Sequence, residues 1–415
     1  MIEAPNRREF LTAAGAASAG LALCADSGKP PMDAPRELPV TGADLGSLYP
    51  EVLKLSDANR YSLAYAGGKF KSVEEFTTAA RAKVFEVLSY QPEKVDPKTE
   101  VIERVERDDH IREKILFSTT SNFRVPAYVL IPKNLKKPAP AIVDLHSHGG
   151  MFVFGKEKVI DLGNNHPAMT AYHQRNYDGR PTATALVSRG YVVISIDAFM
   201  FGERRAMRNA DQKFGWDRSK YSVDDVTSLN QFCRAKESTL AKSLIVAGTT
   251  WPGIVCWDDI RTIDYLVTRP EVDPKRLGCL GISMGGYRSI YLAGLDERIK
   301  AACITGFMSS VRPMLKAHID THSWVHFLPS LHRYLDLPDV ASLAAPRALM
   351  VQQCRQDRLF PTVGMKESVE TIAGVFEKAG AKDRFASRFY DEPHIFTKAM
   401  QDDAFTWFDE QLKGK

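Results

Sequence analysis

A chain of 415 residues, 44% hydrophobic and 26% charged, is long enough to bury a large core and has the make-up of a globular protein rather than a disordered or fibrous one. Its 55 basic and 51 acidic residues are well mixed and leave a net charge of only +4, which argues against a nucleic-acid footprint or a polybasic membrane patch. Beyond the N-terminus no apolar run is long enough to span a bilayer.

The first elements read as targeting signals. Arg7-Arg8 is followed by the short Ala-rich stretch from Thr12 to Leu23, an order that resembles a twin-arginine export signal. Residues 1–25 are therefore set apart as a signal, and a periplasmic or secreted location is expected. Leu21-Ala22-Leu23-Cys24 has the outline of a lipoprotein box, but Leu23 stands where a small residue is wanted, so cleavage near Ala25 is expected in preference to a lipid anchor at Cys24. The other five cysteines have no C-x-x-C spacing, which speaks against a zinc or redox motif. Cys279 and Cys303 read as small core residues, whereas Cys233 and Cys256 could pair in an oxidising compartment.

Residues 26–100 read as a linker and an N-terminal helical extension, in which Val73, Phe76, Ala80, Val84, Val87 and Leu88 fall on one helical face. Residues 101–415 form the main domain. Strands are predicted at 101–107, 115–119 and 125–132, followed by apolar runs at 141–145, 191–196, 277–282, 300–305, 348–352 and 385–390. Helices are predicted at 183–188, 257–268, 286–295, 366–379 and 398–411. Continuous apolar strands alternating with helices predict an α/β fold with a mostly parallel central sheet flanked by helices. The stretch 208–253 exceeds a simple connection and carries Phe214, Trp216, Tyr221, Phe232 and Trp251, which predicts a partly helical lid.

Gly281-Ile282-Ser283-Met284-Gly285 matches G-x-S-x-G, with an apolar strand before it and a helix after it. Glycines flank the serine because a Cβ at either place would clash in so sharp a turn. This nucleophile elbow belongs to the α/β-hydrolases, whose triad runs Ser, acid, His in chain order. His394, in the loop after the last strand, is the expected base, and Asp357, after the preceding strand, is the expected acid. Asp391 is a rival acid by proximity in sequence. The oxyanion of a tetrahedral intermediate needs two donors: the backbone N–H of Met284 is one, and the N–H of His148 is the second, with Gly149 as the alternative if Leu145-His146-Ser147-His148-Gly149-Gly150 is read as an H-G-G loop. The side chains of His146 and His148 are expected to shape this loop. His318, His322 and His326 recur every fourth residue and would share a face on a helix. They read as packed or solvated residues near the rim of the site rather than as metal ligands.

Together with Asp197 to Arg204, Trp257 to Arg261 and Val272 to Gly278, these motifs resemble the dienelactone-hydrolase-related α/β-hydrolases, notably the bacterial group close to acetyl xylan esterases and prolyl-oligopeptidase-like catalytic domains. The resemblance runs from about Val101 to the C-terminus. It implies that Glu203 and Arg204 form a structural pair. Two residues depart from it: Ser147 and Pro393 stand where the family more often has glycine. There are too few upstream residues for the propeller of a true prolyl oligopeptidase. The expected function is a serine esterase acting on short-chain, above all acetyl, esters of carbohydrate or aryl alcohols through an acyl-enzyme on Ser283, with no metal or organic cofactor and no nucleic-acid partner. The alternatives are a peptidase or amidase using the same triad, and a non-enzymatic binding module on the same fold.

Overall fold

In the computed structural model residues 42–209, 211 and 217–414 are described. The export-signal and Cys24 readings, like Phe214 and Trp216, lie outside them.

Two helices come first, α1 (Tyr49–Ala58) and α2 (Val73–Leu88). The α2 helix starts where Ser72 Oγ accepts from the Glu75 N–H (3.1 Å), while Glu75 accepts from the Lys71 N–H (2.9 Å), so donors orphaned at a helix start are satisfied. The stripe Val73, Phe76, Ala80, Val84, Val87 and Leu88 is buried, as its spacing predicts. Burial of Phe76 and Leu88 alone contributes roughly 3–6 kcal/mol of apolar transfer. Beside the stripe, Arg81 Nε donates to the Gly294 carbonyl (2.9 Å).

Among the described residues, nine strands form one sheet: β1 (Glu100–Glu106), β2 (His110–Ser118), β3 (Arg124–Pro132), β4 (Ala139–Asp144), β5 (Val192–Ile196), β6 (Val272–Ile282), β7 (Ile299–Thr305), β8 (Ala348–Cys354) and β9 (Phe385–Tyr390), in the order β1-β2-β3-β5-β4-β6-β7-β8-β9. Pairings from β1 to β5 are antiparallel and the rest are parallel. Strands β4, β5 and β8 are buried at every position, which is why each reads as a mostly apolar run. The edge strand β1 is almost wholly exposed and is blunted by charge. Helices α3 (Pro167–Tyr177), α4 (Thr182–Ser188), α5 (Val223–Val246), α6 (Trp251–Leu266), α7 (Met284–Leu295), α8 (Leu337–Ser342), α9 (Thr362–Lys378) and α10 (Lys398–Phe408) complete the α/β-hydrolase fold. None of the described helices is long and apolar enough to cross a membrane.

The long connection before α6 holds one 24-residue helix, α5, started by a reciprocal cap between Ser222 and Asp225. Its flanking aromatics turn inward: Tyr221 and Trp251 are buried, and Trp251 Nε1 donates to the Phe199 carbonyl (3.2 Å). Cys233 and Cys256 are buried and free, not paired. Glu203 and Arg204 do not pair with one another, contrary to the expectation. Arg204 reaches Asp258 (2.7 Å), and Glu203 meets Lys156 (2.7 Å) and Lys114 (3.1 Å). The stretch from Gly155 to Val159, with three charges in a row, is entirely buried. Lys156 bridges Asp197 (2.7 Å), Glu203 and Glu157 (3.2 Å), and Arg218 binds Glu157 (2.7 Å). Such buried pairs contribute little net stability, but they fix the segment's position.

Candidate active site

The turn between β6 and α7 sets Ser283 at φ 60°, ψ −126°, outside even the small left-handed well open to ordinary residues. Its backbone is held at both ends: the Ser283 N–H donates to the Thr305 carbonyl of β7 (2.9 Å), and its carbonyl accepts from the Tyr287 N–H (2.9 Å). The flanking glycines are a steric necessity. A Cβ on Gly285 would sit 1.9 Å from the Leu145 carbonyl oxygen, and one on Gly281 would sit 2.4 Å from the same atom. Beneath the turn, Arg288 of α7 forms a two-pronged pair with Asp259 of α6 (2.6 and 3.0 Å), both nearly inaccessible. The Met284 N–H is the first of α7 and so has no partner within the helix.

Asp357 and His394 lie in the loops after β8 and β9. Asp357 Oδ2 accepts from His394 Nδ1 (2.6 Å), and Oδ1 accepts from the Leu359 N–H (2.9 Å). The carboxylate is fully buried, and the imidazole is about a quarter exposed. With the proton on Nδ1, the Nε2 lone pair is left to accept a proton. The ring lies over Gly306, where a Cβ would be 3.4 Å from His394 Cε1. Asp391 turns elsewhere and accepts from Gln356 Nε2 (3.1 Å).

Ser283 and His394 open into one cavity of about 400 Å³, also lined by His148, Gly149 and Gly150 of the loop after β4. That loop is held on both flanks. His146 is fully buried, with Nδ1–H donating to the Ser147 carbonyl (3.0 Å) and Nε2 accepting from the Ala198 N–H (3.1 Å). His148 Nδ1 accepts from the Gly150 N–H (3.0 Å), so Nε2 carries the proton donated to Glu237 of α5 (2.7 Å). Asn230 of α5 accepts from the N–H groups of Phe152 (2.7 Å) and Val153 (3.1 Å). The helix therefore clamps the loop, and among the described residues of this insertion the cavity is lined by Arg234, Glu237 and Ser238.

His318, His322 and His326 do not lie on a helix: they sit in turns and a single 3₁₀ turn, Trp324–His326. His322 and His326 line the cavity beside Phe307, and His318 does not. Burial pushes the imidazoles of His146, His148, His322 and His326 below the usual histidine range, favouring their neutral forms. Among the described residues no three His, Cys, Asp or Glu side chains converge as metal ligands would. Sequence reasoning missed Glu237, Asn230, Arg234 and Trp324. Each reaches the site through tertiary folding, and only the aromatic-rich composition around α5 hinted at a wall there.

Comparison with known proteins agrees with this architecture. The protein YtaP of Bacillus subtilis (strain 168), provisionally assigned as a hydrolase, is 26% identical over 333 residues, spanning 80% of this chain and 98% of its own. A provisionally assigned acetyl xylan esterase from Bacteroides fragilis NCTC 9343 superposes with a TM-score of 0.61 at 19% identity, covering 83% of this chain and 82% of that one. A glucuronoyl esterase from Solibacter usitatus does so at 0.55 and 16%, covering 82% and 94%. At such identities these structures speak for the fold alone. The Abhydrolase family model matches residues 53–392, and the chain belongs to that family.

Proposed function

We propose that the protein is a serine carboxylester hydrolase that cleaves short-chain, above all acetyl, esters of carbohydrate or aryl alcohols. The carrying observation is the strained Ser283 sharing one cavity with His394, whose Nδ1 is bonded to the buried Asp357. In this reading Ser283 Oγ attacks the ester carbonyl, His394 Nε2 takes its proton and later returns it to the leaving alcohol, and Asp357 holds the ring and stabilises the imidazolium. The Met284 N–H and the His148 or Gly149 N–H receive the oxyanion. Water then releases the acyl group from Ser283 by the same steps in reverse order.

The character of the cavity supports short acyl groups. Polar and apolar surface are about equal in its wall, and the apolar side chains are limited to Phe307, Leu359 and Trp324. Each added methylene gains about 0.8 kcal/mol only where apolar wall receives it. Polar groups suit sugar hydroxyls, and Trp324, 40% exposed at the rim, offers a stacking face. The resemblance in fold to acetyl xylan and glucuronoyl esterases accords with this substrate class. Export directed by the twin-arginine segment belongs to the same proposal, since it would bring the enzyme to polymer-derived esters.

The test is labelling by a fluorophosphonate probe, followed by a panel of p-nitrophenyl esters, acetylated sugars and aminoacyl p-nitroanilides. Labelling lost in Ser283→Ala, with esters turned over far faster than anilides, is the expected outcome. An unlabelled wild-type protein would leave only a binding module, and preference for anilides would make the chain an amidase.

A further inference from the structure

Two buried lysines sit two residues apart in the segment after the β4 loop, and their surroundings differ. Lys156 is met by three carboxylates. Lys158, equally inaccessible, has no carboxylate within salt-bridge distance among the described residues. Its Nζ donates to the backbone carbonyls of Ser147 (2.7 Å) and His148 (3.0 Å). Nζ also lies 4.6 Å from the centre of the Phe201 ring and 5.6 Å from that of Tyr172. Burial pushes the Lys158 amine well below the usual lysine range, and holding it among dipoles and ring faces alone costs stability. The arrangement therefore calls for a different explanation from the Lys156 network.

The trans peptide supplies it. In a planar trans unit the C=O and the following N–H point in opposite directions. A donor that grips the Ser147 carbonyl turns the His148 N–H away from itself. The same grip on the His148 carbonyl turns the Gly149 N–H away. These are the two candidate second donors of the oxyanion hole, and both residues line the cavity that holds Ser283. The remainder of the loop is tied in the same sense: Ser147 Oγ is shared with the hydroxyls of Tyr172 (2.7 Å) and Tyr177 (3.1 Å), and the Met151 N–H closes on the His148 carbonyl (3.1 Å).

We propose that Lys158 is a positioning residue for the oxyanion hole, holding the Ser147 and His148 carbonyls so that the peptide N–H groups behind them face the reacting ester. The proposal rests on the serine-hydrolase reading above. Lys158 lies outside the cavity lining, so it touches neither substrate nor nucleophile. Its effect is confined to the tetrahedral state, in which charge develops on the carbonyl oxygen, and it leaves ground-state binding nearly untouched.

The experiment compares wild type with Lys158→Met, which keeps most of the length and bulk without a donor, and Lys158→Gln, whose amide ends one bond short of the lysine nitrogen and falls short of both carbonyls. The second variant carries the test if the first does not fold. Active sites are counted by end-point fluorophosphonate labelling, so that kcat refers to folded enzyme. The expected result with p-nitrophenyl acetate is a kcat lower by about 10²-fold, as for loss of one oxyanion donor, with KM within about threefold. Affinity for an aryl trifluoromethyl ketone, which binds as a charged tetrahedral adduct, should fall in the same proportion as kcat. An unchanged kcat per labelled site would overturn the proposal, as would a loss confined to the labelled fraction or an unchanged ketone affinity. Ser283→Ala, assayed alongside, separates the two claims: residual activity there sinks the serine mechanism itself, whereas an inactive Ser283→Ala beside wild-type-like Lys158 variants sinks only the role of Lys158.

Discussion

The backbone of Ser283 lends itself to a measurement independent of catalysis. At φ 60°, ψ −126° a side chain is strained, whereas glycine adopts such angles freely. Strain of this kind costs about 1–3 kcal/mol. Replacing Ser283 by Ala keeps the Cβ and with it the strain, whereas replacement by Gly removes it. Against that gain stands the larger backbone freedom of glycine in the unfolded chain, about 0.4–1 kcal/mol. The net expectation is that Ser283→Gly is more stable than Ser283→Ala by about 1–2 kcal/mol. For a chain of 415 residues the entropy of unfolding is about 0.9 kcal/mol/K, so Tm should rise by only about 1–2 °C. Urea denaturation followed by tryptophan fluorescence resolves such a difference, provided that refolding is reversible and both variants share one m-value. Both variants should be inactive. A glycine variant less stable than the alanine variant would refute the reasoning, because the turn would then not be stored strain held for placing the nucleophile.

Asp357→Asn should lower kcat by about 10⁴-fold through the wrong His394 tautomer, while Asp391→Asn loses far less; steady-state rates on p-nitrophenyl acetate decide the ranking. Burial, opposed in part by the hydrogen bond from Thr182, pushes the Asp144 carboxyl up to about 7. The folded chain then binds that proton more tightly than the unfolded one, so the contribution is present near pH 4 and is lost as pH rises towards 7. Asp144→Asn should remove that decline, worth a few kcal/mol, and urea midpoints at pH 4.5 and 7.5 that fall in parallel for both proteins would contradict it. Trp324→Ala should raise KM for aryl and sugar acetates about three- to tenfold with little change in kcat, as the loss of one stacking contact implies; an unchanged KM places the alcohol elsewhere. Across p-nitrophenyl esters from acetate to palmitate, kcat/KM should peak at short chains and be insensitive to EDTA, and a maximum at long chains would indicate a lipase-like pocket.

Legibility in the sequence followed burial. Strands buried on both faces, such as β5 and β8, advertise themselves as apolar runs, and every predicted strand has a counterpart in the sheet. Starts were misjudged where a strand runs out into solvent: β6 begins at Val272, five residues before its apolar run, through the polar stretch Asp273-Pro274-Lys275-Arg276. The elbow was legible because its constraint is local, a turn that tolerates glycine alone at its flanks. The four-residue spacing of His318, His322 and His326 misled for the opposite reason. Spacing means a shared face only on a helix, and this segment has no helical ladder to impose one.

The segment Lys156-Glu157-Lys158 is the most instructive failure. Three consecutive charges ordinarily mark a solvated face, yet all three are inside. The one sequence signal against solvent is their setting between Phe152-Val153-Phe154 and Val159-Ile160, too apolar on either side for a surface turn. Ser147 is a related case. It stands where the resemblance leads one to expect glycine. A hydroxyl here needs partners that glycine does not, and Tyr172 and Tyr177 provide them from α3. Lys158 fixes the adjoining carbonyl, and Glu237 fixes the next imidazole. Side chain, carbonyl and ring are thus each held by a different element, so the loop does not depend on glycine flexibility at position 147 to present its N–H groups. The substitution changes how the loop is built without requiring a change in where its donors point.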